Sequence, residues 1–161
     1  MGTENPQNKL GLFALVVLVT VFCDQITKSL IVSHLSVQEV HHVIPGFFDI
    51  VHFRNTGAAF GIFSGTFSHL KYYFFLCISL VVLSGILVYL WISREVRKWE
   101  VLALALIFSG ALGNFIDRLR FQEVIDFLYF HWHKYYWPAF NVSDSAISIG
   151  TVLLILLYIK K

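Results

Sequence analysis

Four long apolar runs dominate the chain, and polar residues gather in the segments between them. The runs cover residues 10–32, 70–92, 99–116 and 142–159. About 20 largely apolar residues in a helix cross the hydrocarbon core of a bilayer, so each run approaches the length of one crossing. The pattern therefore predicts four transmembrane helices.

Composition supports this interpretation and limits what else the chain can contain. Of the 161 residues, 57% are hydrophobic and only 14% are charged, and the mean hydropathy is +0.71. Soluble domains have about 25% charged residues. Four crossings leave too little chain for a separate soluble domain, so we predict an all-α membrane protein in which residues 1–161 form a single membrane-embedded domain.

Two long connections remain, over residues 33–69 and 117–141. The first contains the sequence Val-Ile-Pro-Gly-Phe-Phe-Asp-Ile-Val-His-Phe, whose β-branched and aromatic residues around a Pro-Gly turn predict a small β-sheet outside the membrane. The second is rich in large side chains of the kind found in the headgroup layer, so we expect it to lie along the membrane surface. These are Leu128, Tyr129, Phe130, Trp132, Tyr135, Tyr136 and Trp137.

The positions of the basic residues predict the orientation. They lie in short segments beside span ends, and such segments face the cytoplasm. We therefore expect both termini to be cytoplasmic and both long connections to face the outside. The net charge of +2 is small and the basic residues form no patch, so nucleic acid is not expected as a partner. The basic residues concerned are Lys9, Arg94, Arg97, Lys98, Lys160 and Lys161.

Cysteine and histidine give no sign of a metal site or a disulfide. Cys23 and Cys77 fall within predicted spans, where we expect buried thiols that act as small apolar residues. Phe22 precedes Cys23 where lipoprotein processing requires a small residue, and three further spans follow, so the first span is interpreted as an uncleaved helix. The seven histidines have no zinc-binding spacing. No metal and no cofactor are expected.

Polar residues within or beside the spans concentrate at the outer ends, and the cytoplasmic halves are expected to lack them. Ionisable groups in a span are costly unless paired or hydrated, so a cluster at one depth indicates a functional cavity. Each residue alone also has a structural explanation, such as a local ion pair between Asp24 and Lys28 or a helix cap at Asn141. The cluster comprises Asp24, Lys28, Asn114, Asp117, Arg118, Asn141 and Asp144.

Two acids suggest the chemistry. Asp126 lies about ten residues beyond the third span and Asp144 begins the fourth, so the connection can fold back and bring both carboxyl groups together. Two carboxyl groups that share a proton can activate water and protonate a leaving amine, as in aspartic proteases. No Gly-x-Ser-x-Gly, His-Glu-x-x-His or phosphate-binding loop is present. The alternative is a non-enzymatic protein, such as a proton- or ion-coupled transporter subunit, but its acids would continue toward the cytoplasm.

Five sequence blocks then identify a family. Asp-Gln-Ile-Thr-Lys at 24–28, Phe-Arg-Asn-Thr-Gly-Ala-Ala-Phe-Gly at 53–61 and Gly-Asn-Phe-Ile-Asp-Arg at 113–118 resemble the lipoprotein (type II) signal peptidases. Val-Ile-Asp-Phe at 124–127 and Phe-Asn-Val-Ser-Asp at 140–144 complete the resemblance, in the family's order and over nearly the whole chain.

The resemblance implies an aspartic endopeptidase of the bacterial inner membrane with its site at the outer face. Its substrates would be diacylglyceryl-modified prolipoproteins, cut before the lipidated cysteine among membrane lipids, with no obligate protein partner. Ser143 stands where the family usually has Ala, which puts the hydrogen bonding of Asp144 in question. The implied dyad is Asp126 and Asp144, the substrate groove is Asn55, Gly57, Asn114, Arg118 and Asn141, and the supporting residues are Asp24, Lys28 and Asp117.

Overall fold

The chain forms four long helices and one four-stranded sheet. The computed structural model describes residues 6–57, 67–93 and 95–159. All four helices are long and apolar enough to cross a membrane, as the sequence predicted. The elements in chain order are α1 (Pro6–His34), β1 (Val40–Ile44), β2 (Phe48–Asn55), α2 (His69–Ile92), α3 (Lys98–Phe121), β3 (Val124–Trp132), β4 (Tyr135–Phe140) and α4 (Val142–Ile159).

Helix α3 is the centre of the bundle. Burial covers 56% of its most apolar stretch, against 11–22% in the other three helices, which therefore leave most of their apolar surface for lipid. Close approach of α4 requires glycine, because a Cβ at Gly110 would lie 2.3 Å from the carbonyl oxygen of Ser143. At the end of the bundle where α1 and α3 begin, an apolar cluster includes Phe13, Ile86 and Leu104.

Helix α3 extends five residues beyond the predicted third span. It ends at Phe121, where Gln122 adopts the left-handed conformation with φ of 63° and its N–H caps the helix on the carbonyl of Arg118. Asp117 and Arg118 therefore lie at the end of the third span, as predicted, and the second connection begins after residue 121 rather than at residue 117.

The sheet is antiparallel in the order β1-β2-β3-β4. The sequence predicted strands only in the first connection, but the aromatic second connection also contributes two strands, β3 and β4. Its tip is exposed, with Trp132, Tyr135 and Tyr136 each about 70% accessible. The sheet positions the site because β3 follows α3 almost directly and β4 leads through Asn141 into α4.

Candidate active site

The fold brings all ten predicted site residues into one buried cluster in the described part of the chain. Asp126 is the third residue of β3, and Asp144 lies in the first turn of α4. Their exposed fractions are only 3% and 1%. Pairing of Phe53 with Asp126 across strands β2 and β3 places Asp126 beside the end of β2, where Asn55 lies.

Three asparagine side chains hold the two carboxyl groups. Asn55 donates to Asp126 Oδ2 at 2.9 Å, and Asn141 donates to Asp126 Oδ1 at 2.7 Å. Asn114 donates to Asp144 Oδ1 at 2.8 Å. Amide donors fix the orientation of a carboxyl group without adding a charge, so the pair is positioned while its protonation stays open to change.

One carboxyl oxygen of the pair is free. Asp144 Oδ2 is buried and has no hydrogen-bond partner among the described residues. An unpaired buried acceptor costs free energy, so such an atom in a native site calls for an explanation. A water molecule or a substrate group would satisfy it.

Asn141 has a structural and a site role together. Its Oδ1 accepts the main-chain N–H of Asp144 at 2.9 Å, which is the N-cap interaction that the sequence suggested for α4. Its Nδ2 reaches Asp126 and also the carbonyl of Ile125 at 3.2 Å. The residue that starts the helix therefore also links the helix to strand β3.

Electrostatics favour a proton on the pair. Burial, and then the neighbouring carboxylate of Asp144, raise the pKa of Asp126 to about 8, against the opposing hydrogen bonds from Asn55 and Asn141. Two buried acids whose charges repel each other in this way do not both ionise at neutral pH. The pair can therefore hold one proton and one negative charge.

A buried ion network supports the pair from the α1 side. The ammonium group of Lys28 lies 2.9 Å from Asp24 Oδ2 and 2.7 Å from Asp117 Oδ2, and it donates to Asn114 Oδ1 at 3.1 Å. Asp24 in turn accepts the main-chain N–H of Ser143 at 2.9 Å. The predicted local pair of Asp24 and Lys28 is present, and it extends to α3 and to the start of α4.

Arg118 fastens the segment after β2 to helix α3. Its guanidinium donates to the carbonyl of Gly57 at 2.6 Å and lies over the ring of Phe75. The N–H of Gly57 donates to Asn55 Oδ1 at 2.8 Å, so this segment also orients an amide that contacts Asp126. Residues 58–61 of the second sequence block lie outside the described residues.

Two polar features were missed or misjudged from the sequence. Gln25, within the first block, bridges Asp24 and Asp117 with its amide at 3.1 and 3.0 Å, and its place beside Asp24 was the available signal. We expected the halves of the spans away from this cluster, the predicted cytoplasmic halves, to lack ionisable groups, and this was wrong for Glu100. Glu100 is buried in α3 and accepts hydrogen bonds from the hydroxyls of Tyr89 and Tyr158. Glu100 lies 14 residues before Asn114, about 21 Å along the helix, and does not join the cluster.

The cysteines and Ser143 also differ from expectation. Cys23 and Cys77 are free thiols, but the prediction that they are buried was wrong, because both lie on the outer surfaces of spans that face lipid. The hydroxyl of Ser143 is buried and makes no hydrogen bond among the described residues, so it leaves Asp144 untouched. Within the same residues, no group of three or more His, Cys, Asp or Glu side chains is arranged to hold a metal ion.

Comparison with known proteins agrees with this geometry. A family model described as signal peptidase (SPase) II matches residues 16–160. The lipoprotein signal peptidase of Syntrophotalea carbinolica is 44% identical over 92% of each chain. That of Geobacter sulfurreducens is 48% identical over 89% of this chain and 88% of its own.

Solved structures agree as well. One described as a bacterial membrane enzyme superposes with a TM-score of 0.83 at 36% identity and covers 93% of this chain and 88% of its own. A second with the same description gives a TM-score of 0.79 at 35% identity over 94% of each chain. Match length and identity together place this chain, a multi-pass membrane peptidase, in the signal peptidase II family.

Proposed function

We propose that this peptidase removes the signal peptides of prolipoproteins by an aspartic mechanism in which Asp126 and Asp144 are the catalytic residues. The observation that carries the proposal is the pair itself, two buried carboxyl groups oriented by three amides, with Asp144 Oδ2 unpaired among the described residues. The names of the relatives, lipoprotein signal peptidases, supply the substrate class.

The chemistry follows from one shared proton. The ionised carboxylate takes a proton from a water molecule while the oxygen of that water bonds to the carbonyl carbon of the scissile peptide. The protonated carboxyl gives its proton to the carbonyl oxygen, which yields a neutral tetrahedral diol. As the C–N bond breaks, one acid protonates the leaving amine and the other accepts a diol proton, so the pair returns to its starting state. Asp144 Oδ2 is the oxygen best placed to hold the water, since none of the described residues donates a hydrogen bond to it.

The depth of the site suits a lipid-anchored peptide. Asp144 is the third residue of α4, and the sheet that carries Asp126 stands at the ends of α1 and α3, so the reaction would take place close to the headgroups. A diacylglyceryl group holds the scissile bond at that level, with about 0.8 kcal/mol gained for each buried methylene. Four side chains already donate hydrogen bonds within the site: those of Asn55, Asn114 and Asn141 to the dyad, and that of Arg118 to Gly57. We propose that they shape the substrate groove and that their remaining N–H groups donate to the substrate.

The orientation is also part of the proposal. Lys9, Arg97 and Lys98 lie at the end of the bundle opposite the dyad, which favours a cytoplasmic position for that end and an outward-facing site. A single cysteine in a variant that lacks Cys23 and Cys77 reports the side. We expect an impermeant thiol reagent to label it at His133 in intact cells and not at Arg97. The reverse pattern would place the dyad on the wrong side for a secreted substrate.

The decisive experiment is cleavage of a lipid-modified prolipoprotein by purified protein in detergent micelles. Asp126→Asn and Asp144→Asn should each lose nearly all turnover, because one acid cannot perform both proton transfers. Glu123→Gln is the matched control, since it removes a carboxylate three residues from Asp126 that makes no hydrogen bond or ion pair with any described residue. Near-normal turnover in either aspartate variant would refute the aspartic mechanism, and loss of activity with a chelator would indicate a metal instead.

The lipid requirement needs its own comparison. We expect wild-type protein to cleave an unlipidated precursor at least about tenfold less efficiently than the lipidated one, because the lipid supplies both affinity and register. Arg118→Ala should narrow this difference by slowing cleavage of the lipidated substrate selectively. Equal rates on both substrates would leave a membrane peptidase without lipoprotein specificity.

A further inference from the structure

A cleft opens between α1 and α3 on the side away from the dyad. It has a volume of about 240 Å³, and Gln25, Ser29 and Ser33 line its α1 wall at intervals of four residues, which is one helix face. Ile125 lines it from strand β3, whereas the next residue, Asp126, belongs to the dyad. Successive strand residues point to opposite faces, so the cleft and the dyad lie on different sides of β3.

Two arginines are associated with this cleft: Arg120 lines it, and Arg54 lies beside it, paired across β2 and β3 with the lining residue Ile125. Arg120 lines the cleft, and its guanidinium carbon lies 4.9 Å from the centre of the Phe121 ring. The guanidinium carbon of Arg54 lies at the same distance from the same ring. Neither arginine forms an ion pair with a carboxylate of another described residue, so the charge of neither is neutralised there.

Both arginines keep donors available. Among the described residues, Arg120 donates only one long hydrogen bond, to Gln25 Oε1 at 3.4 Å. A guanidinium presents five donors in a planar fork that matches the oxygens of a phosphate. The exposed hydroxyl of Ser29, which also lines the cleft, makes no hydrogen bond in the described part of the chain.

The floor of the cleft does not oppose an anion. Asp117 lies there, but it is fully buried and its carboxylate is already bonded by Lys28 at 2.7 Å, by Gln25 and by the N–H of Ile125. Val32 and Phe121 add apolar surface to the walls. The cleft therefore joins a cationic rim to an apolar wall.

Its depth indicates the ligand. Ser33 is the residue before the end of α1, and Arg120 is the residue before the end of α3, so the cleft lies where two neighbouring spans leave the hydrocarbon layer. Basic pockets between spans at this level suit anionic headgroups, and phosphates lie at that depth in either leaflet. A diacylglyceryl group on a cysteine carries no phosphate and therefore offers no anionic group to the two arginines. The lipid of the substrate is thus not the ligand that this cleft suits.

We propose that this cleft is a binding site for an anionic phospholipid. Arg120 and Arg54 hold the phosphate, Ser29 donates to a headgroup oxygen, and an acyl chain packs along Val32 and Phe121 between α1 and α3. The bound lipid braces the end of α1 against the end of α3, directly behind the ion network of Lys28. The site is separate from the dyad and does not depend on the mechanism proposed for it.

Binding can be measured without any activity assay. Purified protein in a neutral detergent is titrated with phosphatidylglycerol or with phosphatidylcholine of the same acyl chains, and lipid adducts are counted by native mass spectrometry beside the unfolding temperature. We expect retention and stabilisation by phosphatidylglycerol only. The variant with Arg54→Gln and Arg120→Gln should bind it at least tenfold more weakly, whereas Arg120→Lys should keep most of the binding.

Two further variants separate this site from general charge effects and from misfolding. Lys134→Gln removes one positive charge from the exposed hairpin between β3 and β4 and should bind as wild type does. Ser29→Phe fills the cleft from an exposed helix position, keeps both arginines and should also lose binding. Equal binding of the two lipids, or unchanged binding in both the arginine and Ser29 variants, would overturn the proposal. Full displacement of the lipid by millimolar inorganic phosphate would assign the cleft to the free ion and overturn it as well.

Discussion

The side-chain amide of Asn141 donates a 2.7 Å hydrogen bond to Asp126 Oδ1. The same side chain caps α4 through its Oδ1, which accepts the N–H of Asp144. One asparagine therefore sets the position of one acid directly and of the other through the helix start. Loss of this side chain would allow the two carboxyl groups to drift independently.

Asn141→Ala is accordingly expected to reduce kcat by about a hundredfold or more, because catalytic proton transfer depends on hydrogen-bond geometry. It should also lower stability by about 1 kcal/mol through the lost cap. Cleavage kinetics and thermal unfolding in detergent check the two effects. Ser145→Ala is the control, since it removes a hydroxyl whose one hydrogen bond among the described residues goes to the carbonyl of Asn141, and it should retain activity. A fall in stability with unchanged kcat would limit Asn141 to a structural role.

The raised pKa of Asp126 predicts an alkaline limit to activity. Its pKa of about 8 means that the pair keeps its shared proton below pH 8 and loses it as the pH rises through that value. We expect kcat to fall on the alkaline side with a midpoint near pH 8. A profile that stays flat to pH 10 would contradict a proton held by this pair.

Asn55 provides the matched test of that profile. Its hydrogen bond favours the ionised form of Asp126 and so lowers the pKa against the effect of burial. Asn55→Leu should therefore move the alkaline midpoint upward, besides reducing the rate. A merely structural residue would change the rate and leave the midpoint in place.

The sequence predicted those features of the fold that depend on neighbouring residues in the chain. Four spans follow from run length, and the pair of Asp24 and Lys28 follows from a spacing of four on a helix. The two strands in the second connection were not predicted, because an aromatic-rich segment is typical of both a headgroup layer and a β-strand. The pairing of β2 with β3 makes this segment a strand, and because that pairing joins residues distant in the chain, the local sequence does not reveal it.

Side-chain contacts between residues distant in the sequence could not be predicted either. Lys28 joins Asp117 on another helix, and nothing in either local pattern specifies that contact. Glu100 looks like an interfacial acid beside Lys98, yet it is buried because tyrosines from α2 and α4 converge on it. The approach of Asp126 to Asp144 was predictable from the sequence because the two acids flank a short return to the membrane.

Gly113 tests the packing of three helices behind the site. A Cβ there would lie 2.1 Å from Ser143 Oγ and 2.6 Å from Asp24 Oδ2, so α1, α3 and α4 would have to separate. Gly113→Ala should destabilise the protein by about 1–3 kcal/mol, as overpacking does. Gly85→Ala is the control, because a Cβ at Gly85 meets nothing within 4 Å, and it should be neutral or stabilising by about 1 kcal/mol.

A double variant separates the two contacts at Gly113. Ser143→Ala removes the nearer atom, so combining it with Gly113→Ala should restore part of the lost stability while the contact with Asp24 remains. Thermal unfolding of the single and double variants measures the recovery. Strictly additive losses would show that Ser143 and Gly113 do not touch in the folded protein.

The last prediction concerns a buried acid in the sheet that takes no part in the dyad. Asp49 of β2 is only 3% exposed, and its two oxygens accept hydrogen bonds from His42 of β1 at 2.8 Å and from His131 of β3 at 2.9 Å. Burial alone would raise the pKa of Asp49, but the bonds and charges of the two histidines outweigh it and hold the pKa below the ordinary 3.8. The ionised carboxylate thus fastens three strands.

A lowered carboxyl pKa stabilises the fold above the pKa of the unfolded chain and loses that effect as the pH falls through the folded value. Wild-type protein should therefore keep the contribution of Asp49 down to about pH 4 and lose it below. Asp49→Asn should lower the unfolding temperature at pH 7 by about 3 °C, the shift expected for one lost hydrogen bond in a chain of this size, and should show a weaker further loss below pH 4. His41→Gln, on strand β1 beside His42 but without a hydrogen bond to Asp49, should behave as wild type at both pH values. Parallel acid profiles for wild type and Asp49→Asn would show that the histidines do not stabilise this carboxylate, whereas convergence of the two profiles below pH 4 would identify protonation of Asp49 as the step that removes this stabilisation.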